Sequence, residues 1–325
     1  MTMKASFSEK YGSPDILRIE NVYKPAPKEN EVLIKVFATT VNRTDCAILR
    51  GKPFIFRFFT GIIKPKRPVR GTDFAGVVES VGKNVTAFKA GDRVFGFDDL
   101  GLSSHTQYLV LSEKNALATF PDNITYEQAA ASIEGAHYAL NFINKLKIEK
   151  GQKILVNGAT GAIGSAMVQL LKYYGANITA VCSYKYVDKI KAIGADKVID
   201  YENEDFTKSD EKFRFVFDAV GKSSFSKCKP VLEDQGAYIS SELGYMGQNI
   251  FLPMVTSVFG TKKVIFPLPK DRLVSVNLVR KLLDEGKFLP LIDRKYPLEE
   301  IADAYRYVEK GQKTGNVIIT IDHSD

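Results

Sequence analysis

Glycine recurs at every third position in Gly158-Ala159-Thr160-Gly161-Ala162-Ile163-Gly164, directly after the apolar run Ile154-Leu155-Val156. A helical pattern opens at once, with Ile163, Ala166, Met167, Leu170, Leu171 and Tyr174 on one face. A strand, a glycine turn and a helix start make an anion site. The first turn's N–H groups are unpaired and carry the positive end of the helix dipole. Glycine there lets a pyrophosphate approach the backbone and lets the helix sit close to its strand. The spacing is Gly-x-x-Gly-x-x-Gly rather than Gly-x-Gly-x-x-Gly, so a tight turn that binds nothing stays open on the glycines alone.

The next strand ends Val181-Cys182-Ser183-Tyr184-Lys185, with no Asp or Glu before Asp188. A site for NAD places a carboxylate at this point, on the ribose 2′-OH. A hydroxyl and a lysine instead suit a 2′-phosphate, so Ser183 and Lys185 point to NADPH. The bland alternative is that Lys185 begins a solvated helix.

These residues need a scaffold, and the texture of the chain supplies one. Up to about residue 123 it reads as short strands punctuated by glycine: Glu31–Ala38, Gly76–Gly82, Asp92–Gly96 and Tyr108–Leu111. Glu31–Ala38 alternates polar and apolar residues, as a half-buried strand does. The expected fold is a small, partly open β-barrel. From Lys153 strand and helix alternate, with strands at Ile154–Val156, Ile178–Val181, Lys197–Ile199, Phe213–Phe217, Ala237–Ser240 and Lys263–Phe266. That pattern predicts an α/β, doubly wound parallel sheet of Rossmann type. The strand Asn316–Ile321 needs a sheet to join. The domains are therefore 1–123 completed by 268–325, and 124–267.

At 325 residues, 45% hydrophobic and 26% charged, the composition is globular and long enough for two domains. No run approaches a membrane span, and nothing at the start has the apolar core of a signal peptide. Cys46, Cys182 and Cys228 cannot all pair and read as free thiols, which suggests a reducing, cytoplasmic location. The net charge is +7, and no nucleic-acid partner is expected. Arg50, Lys52, Arg57, Lys64, Lys66, Arg67 and Arg70 account for that excess and stand among Phe54, Ile55, Phe56, Phe58, Phe59, Ile62 and Ile63. This stretch is read as a basic loop whose apolar side chains pack on the barrel, a cover over a cleft, a subunit interface, or a contact with an anionic membrane.

In order and spacing, the chain resembles the zinc-independent quinone oxidoreductase branch of the medium-chain dehydrogenase/reductases. The resemblance rests on Val41-Asn42-Arg43-Thr44-Asp45, Gly71–Gly82, Gly91-Asp92-Arg93-Val94, the glycine loop, Asp218-Ala219-Val220-Gly221 and Lys313-Thr314-Gly315-Asn316-Val317. Ile133-Glu134-Gly135-Ala136 and the insertion after Gly51 look most like chloroplast-envelope quinone oxidoreductases and alkenone reductases. The resemblance implies a GroES-like barrel facing the Rossmann domain, and a homodimer. It assigns cofactor contacts to Asn42, Gly158, Thr160, Gly161, Ala162, Ile163, Gly164, Ser183, Lys185, Tyr201, Val220 and Asn316. Zinc members carry Gly-His-Glu where this chain has Gly71-Thr72-Asp73, and a zinc-binding cysteine precedes the position that Cys46 follows. No metal is therefore expected. Two departures stand out: Ala47 where many quinone reductases have tyrosine, and Gly135 where many have threonine.

Hydride transfer without a Lewis acid suits quinones and α,β-unsaturated carbonyls, whose negative charge delocalises onto oxygen. The expected activity is NADPH-dependent reduction of such acceptors. Asn42 is the candidate for orienting substrate or nicotinamide, or else an ordinary turn asparagine. Glu134 binds the carboxamide or relays a proton, or is an ordinary helix residue. His105 and His137 read as structural histidines, with a catalytic role as the alternative for each. A non-catalytic NADPH-binding sensor or docking module, and an alcohol dehydrogenase acting on a small alcohol or aldehyde, are the alternatives.

Overall fold

The computed structural model describes residues 1–54, 56–144, 146–240, 242–266 and 271–323. Ile55, the side chain of Phe56 and the expected return of the chain near residue 268 lie outside the described residues. The chain divides into two compact units, Met1–Glu134 with Asp271–Asp325, and Gly135–Lys270.

The first unit opens with β1 (Thr2–Phe7) and β2 (Arg18–Tyr23), an antiparallel pair. Next come β3 (Glu31–Val41), α1 (Arg43–Arg50), α2 (Phe56–Thr60), β4 (Asp73–Val81), β5 (Arg93–Phe97), β6 (Tyr108–Ser112), β7 (Leu117–Thr119) and the start of α3 (Tyr126–Ile143), whose residues from Gly135 belong to the second unit. The second unit has β8 (Lys153–Asn157), α4 (Ala162–Tyr173), β9 (Asn177–Cys182), α5 (Val187–Ala192), β10 (Lys197–Asp200), β11 (Phe213–Asp218), α6 (Phe225–Cys228), β12 (Leu232–Ser240), α7 (Gln248–Val258) and β13 (Lys263–Ile265). The first unit ends with α8 (Arg272–Asp284), β14 (Ile292–Pro297), α9 (Ile301–Glu309) and β15 (Asn316–Thr320).

The second unit is the parallel sheet the alternation predicts. Its order is β10-β9-β8-β11-β12-β13, with β8 pairing in parallel to both β9 and β11. The reversal of strand order lies beside β8, so the glycine loop leaves the sheet at its switch point, where α/β folds bind ligands. Leu155, Val181, Val216 and Tyr238 fill one core cluster of this sheet.

In the first unit the sheet runs β14-β15-β3-β4-β5-β7, and β6 pairs with β3. The C-terminal β15 pairs antiparallel with β3, Val317 opposite Val41 and Thr320 opposite Ala38. β3 is less amphipathic than its alternation implies: Val32, Leu33 and Ile34 are all buried. The reason is its central place in the sheet, bonded by β15, β4 and β6 and lying in one core with Tyr305 and Val308 of α9. Each large side chain buried this way contributes about 1.5–3 kcal/mol.

Residues 50–70 do not simply pack their apolar side chains on the barrel. Phe54, Phe58, Phe59 and Ile62 are exposed, and Ile63 is 91% exposed. The cations are divided. Arg50 pairs with Glu309, and Arg70 is buried with Nη2 donating to Ser8 Oγ at 3.2 Å. Arg57 lies over the Tyr11 ring at 4.6 Å, while Lys52, Lys64, Lys66 and Arg67 are exposed.

Candidate active site and cofactor-binding loop

The glycine loop of the second unit shows which glycines the fold itself demands. Gly158 has φ +80°, and a Cβ there would lie 2.2 Å from Val220 Cγ1. Gly164 has no room either, since its Cβ would meet the Gly158 carbonyl oxygen at 2.1 Å. Gly161 differs: its φ is −70°, and a Cβ would find only the Gly158 carbonyl at 3.6 Å, an ordinary contact. The fold thus has no need of glycine at 161, which is the N-cap of α4 and makes no side-chain cap. The wall left open by Gly161 is a cradle that a side chain would fill, in front of Ala162, Ile163 and Gly164, whose first-turn N–H groups a helix leaves without intrahelical partners. Thr160 precedes it on the same turn. These residues fit a pyrophosphate.

Gly135 is explained by the same kind of contact. A Cβ there would lie 2.5 Å from the Ala162 carbonyl oxygen, so the threonine of other quinone reductases has no space.

The end of β9 holds a feature the local sequence conceals. No carboxylate follows β9 directly, yet two arrive from the end of β10. Ser183 Oγ donates to Glu202 Oε1 at 2.8 Å, and the backbone N–H groups of Tyr184 and Glu202 donate to Asp200 Oδ1, each at 3.2 Å. Lys185 is exposed, its Nζ 4.9 Å from the centre of the Tyr186 ring. Tyr201 is exposed, with its N–H on the Cys182 carbonyl at 3.2 Å. Ser183, Lys185 and Tyr201 therefore share one sheet edge with two acidic residues.

In the first unit, Asn42 and Glu134 meet, 92 positions apart in sequence. Asn42 is the N-cap of α1, Glu134 lies on α3, and both are buried. Asn42 Nδ2 donates to Glu134 Oε2 at 2.8 Å and to Thr40 Oγ1 at 2.6 Å. Its Oδ1 accepts from Lys313 Nζ at 3.1 Å, and Lys313 Nζ also donates to the Gly315 carbonyl at 2.8 Å. Both amide protons of Asn42 are thus committed within the network.

Thr72, which stands where zinc relatives carry histidine, takes part in the same network. Its Oγ1 is 3.2 Å from Glu134 Oε2 and 3.3 Å from Asp45 Oδ1, and its single proton serves one of them at a time. Asp45 Oδ2 accepts the Asn42 N–H at 2.8 Å. Asp73 accepts from Thr40 N at 2.8 Å and from Thr40 Oγ1 at 2.5 Å. Three carboxylates are therefore enclosed together.

Their protonation follows from burial. Desolvation, then the neighbouring Glu134, push Asp73 up to about 8 against the hydrogen bonds from Thr40 and Thr39. Asp45 is raised well above the ordinary range, first by burial and then by Glu134 and Asp73. Glu134 is raised by burial, with Thr44, Asn42, Lys313 and Thr72 opposing. Burial lowers Lys313 to about 8, and Glu134 pulls the other way.

Asn316 of β15 donates from Nδ2 to the Leu291 carbonyl at 3.1 Å, and its Oδ1 is buried without a partner. That acceptor would take an amide donor. His105 is fully buried, with Nε2 2.9 Å from the Thr40 carbonyl, and burial lowers it to about 4. His137 lies within α3, 3.1 Å from Asn141 Nδ2. Both sit as structural histidines do. Among the described residues no group of three or more His, Cys, Asp or Glu is placed to hold a metal.

Sequence reading found Asn42 and Glu134 but not their partners Thr40, Asp45, Thr72 and Lys313, nor Asp200 and Glu202. Lys313 lies in a recognised motif, yet nothing local tells that its ammonium reaches Asn42.

Comparison with known proteins identifies the relatives of this chain. Residues 28–122 match the family described as alcohol dehydrogenase GroES-like domain, and residues 193–319 match that described as zinc-binding dehydrogenase. The chain is 34% identical to 2-methylene-furan-3-one reductase of Solanum lycopersicum, over 98% of this chain and 79% of that protein. It is 32% identical to the NADPH-dependent alkenal/one oxidoreductase, chloroplastic, of Arabidopsis thaliana, with the same coverage. It is 31% identical to the chloroplastic quinone-oxidoreductase homolog of Spinacia oleracea, over 95% of each chain. Among solved structures, the quinone oxidoreductase from Coxiella burnetii shares the fold, with a TM-score of 0.85 at 23% identity over 99% of this chain and 100% of that one. The chain belongs to the medium-chain dehydrogenase/reductase superfamily, in the company of plant chloroplast quinone oxidoreductase homologues and alkenal/one oxidoreductases.

Proposed function

We propose that this protein is an NADPH-dependent oxidoreductase that reduces quinones or α,β-unsaturated carbonyl compounds without a metal. Gly161 carries the reading: the fold leaves room there for a side chain, and the chain keeps none, at the helix N-terminus where a pyrophosphate would lie. Gly158, Thr160, Ala162, Ile163, Gly164 and Val220 shape that turn. Tyr201 and Lys185 flank the adenosine end of that unit, and in the first unit Asn316 Oδ1 is a buried acceptor. The nicotinamide, when bound, supplies the hydride. Glu134 and Asn42 act on the proton side, in a buried hydrogen-bonded chain whose carboxyl groups burial shifts toward the protonated form. Preference for NADPH is supported by Lys185 and by the name of the Arabidopsis relative, while Glu202 opposes a 2′-phosphate.

Independence from metal is supported by the donor set. Thr72 offers no imidazole, and Asp45 and Glu134 already accept from Thr72 and Asn42. A homodimer belongs to the same proposal. Ile250, Phe251, Met254, Val255 and Val258 of α7 are exposed beside the edge strand β13, a surface a second copy would cover. So does a peripheral contact of residues 52–67 with an anionic membrane, given Phe58, Phe59, Ile62 and Ile63 exposed beside Lys64, Lys66 and Arg67. A cytoplasmic location is proposed from three free, buried cysteines.

The decisive experiment is NADPH oxidation on adding a quinone or an enone. Steady turnover supports the enzyme. Tight NADPH binding without turnover in either class would make it a binding module, and turnover only with a simple aldehyde would make it an alcohol dehydrogenase.

A further inference from the structure

Reduction of an enone requires a proton as well as a hydride. Hydride adds to the β-carbon, the C=C π pair becomes an enolate, and one proton must reach that enolate to give the saturated carbonyl. The buried carboxylates are poor sources by position, because Asp45, Asp73 and Glu134 are all nearly inaccessible. Lys313 is different: burial acts most strongly on its ammonium, yet part of the residue reaches the surface, and the ammonium bonds to the network through Asn42 Oδ1 at 3.1 Å. The Gly315 carbonyl takes a second proton at 2.8 Å, and an ammonium carries three. Among the described residues nothing takes the third.

We propose that Lys313 is the proton-exchanging end of the Asn42–Glu134 network and donates the proton that completes reduction of the acceptor. The inference rests on the enone or quinone reading above. In the step, one N–H bond of the ammonium breaks and an O–H or C–H bond of the enolate forms. The neutral amine then regains a proton from water, and Glu134 holds the lysine in place through Asn42. The groups that face Lys313 are Glu134 of α3, Asp293 of β14, and Cys46 and Arg43 of α1; of these Glu134, Cys46 and Asp293 favour the ammonium and Arg43 disfavours it. With burial the largest influence, the lysine is brought to about 8, where donation and recovery are both accessible near neutral pH.

The first test needs no cofactor or substrate. Lysines are reductively methylated with labelled formaldehyde and followed by NMR against pH. One lysine resonance is expected to titrate near 8, to vanish in Lys313→Arg, and to move lower in Glu134→Gln. Titration of every lysine in the ordinary range would overturn the proposal.

The second test uses turnover of an enone. Lys313→Met is expected to lower kcat by about 100-fold or more and to remove the basic limb of its pH profile. Lys313→Arg, which keeps the charge and cannot release a proton near pH 7, is expected not to restore it. Wild-type kcat and pH profile in Lys313→Arg would overturn proton donation. A wild type that turns over no acceptor, yet shows the low lysine titration, would remove the enone reading and leave the proton-exchanging lysine standing.

Discussion

Asn42 donates its amide to the carboxylate of Glu134 at 2.8 Å, joining the cap of α1 to the middle of α3. Replacing Asn42 with Ala strands a buried carboxylate and frees the lysine bound to the other side of the amide. Such a loss costs about 1–3 kcal/mol in stability. Asn42→Ala is expected to lower Tm and to cut kcat for an enone more than it weakens NADPH. Unchanged kcat with lowered Tm would make Asn42 purely structural.

The glycine loop separates ligand space from folding space. Gly161→Ala is expected to fold with a loss within about 1 kcal/mol, since a Cβ meets no clash there. Gly161→Val is expected to fold and to lose cofactor binding, measured by quenching of NADPH fluorescence. Gly164→Ala, whose Cβ would press on the Gly158 carbonyl, is expected to cost about 1–3 kcal/mol by thermal unfolding. Normal NADPH binding by Gly161→Val would move the phosphate site elsewhere.

Ser183, Glu202 and Lys185 set the choice between cofactors. Lys185→Ala is expected to weaken NADPH by about 1–2 kcal/mol and to leave NADH nearly unchanged. Glu202→Gln removes a negative charge from the Ser183 hydroxyl and is expected to strengthen NADPH relative to NADH. Titration calorimetry with both cofactors decides it, and equal changes for the two would end the 2′-phosphate assignment.

Stability is expected to dip near pH 8. Asp73 in the fold keeps its proton up to about 8, whereas an unfolded Asp loses it near about 3.9. Its contribution is therefore complete below about pH 4 and lost as pH rises through about 8. Lys313 runs the other way: it releases its proton at about 8, while an unfolded Lys holds it to about 10.4. Its contribution is present above that value and lost as pH falls through about 8. Tm is expected to fall from pH 5 to 8 and recover above 8. Asp73→Asn should flatten the lower limb and Lys313→Met the upper.

The exposed side chains Phe58, Phe59, Ile62, Ile63, Lys64, Lys66 and Arg67 are tested by co-sedimentation with vesicles. Binding to anionic vesicles only, lost in high salt and in Lys64→Gln with Lys66→Gln, is the expected outcome. Ile63→Ser, at a position 91% exposed, should weaken it without lowering Tm. Absence of binding at low salt would leave the face to another partner. Elemental analysis of the purified enzyme is expected to find no zinc, with activity unchanged after chelation.

Much of the architecture was legible in the sequence because it depends on local periodicity. Ile154–Val156 followed by spaced glycines announces a strand and a phosphate turn, and the later alternation of strand and helix announces a parallel sheet. The chemistry of Gly158 and Gly161 looks identical in one dimension. Only the packed structure separates them, since Val220, 62 positions after Gly158, occupies the space beside one, whereas a Cβ on the other would meet only the Gly158 carbonyl at an ordinary 3.6 Å. The same holds for charge. Sequence could find Ser183 and Lys185 without a following acid, but Glu202 reaches Ser183 because β10 lies next to β9. Asn42 and Glu134 were separate candidates until the fold set them 2.8 Å apart, and Lys313 became a partner only because β15 pairs with β3 and carries the preceding loop to Asn42. Propensity and glycine spacing act over a few residues, so one chain shows them; burial, and the proton affinities it imposes, depends on everything that closes around a group, so tertiary structure alone decides it.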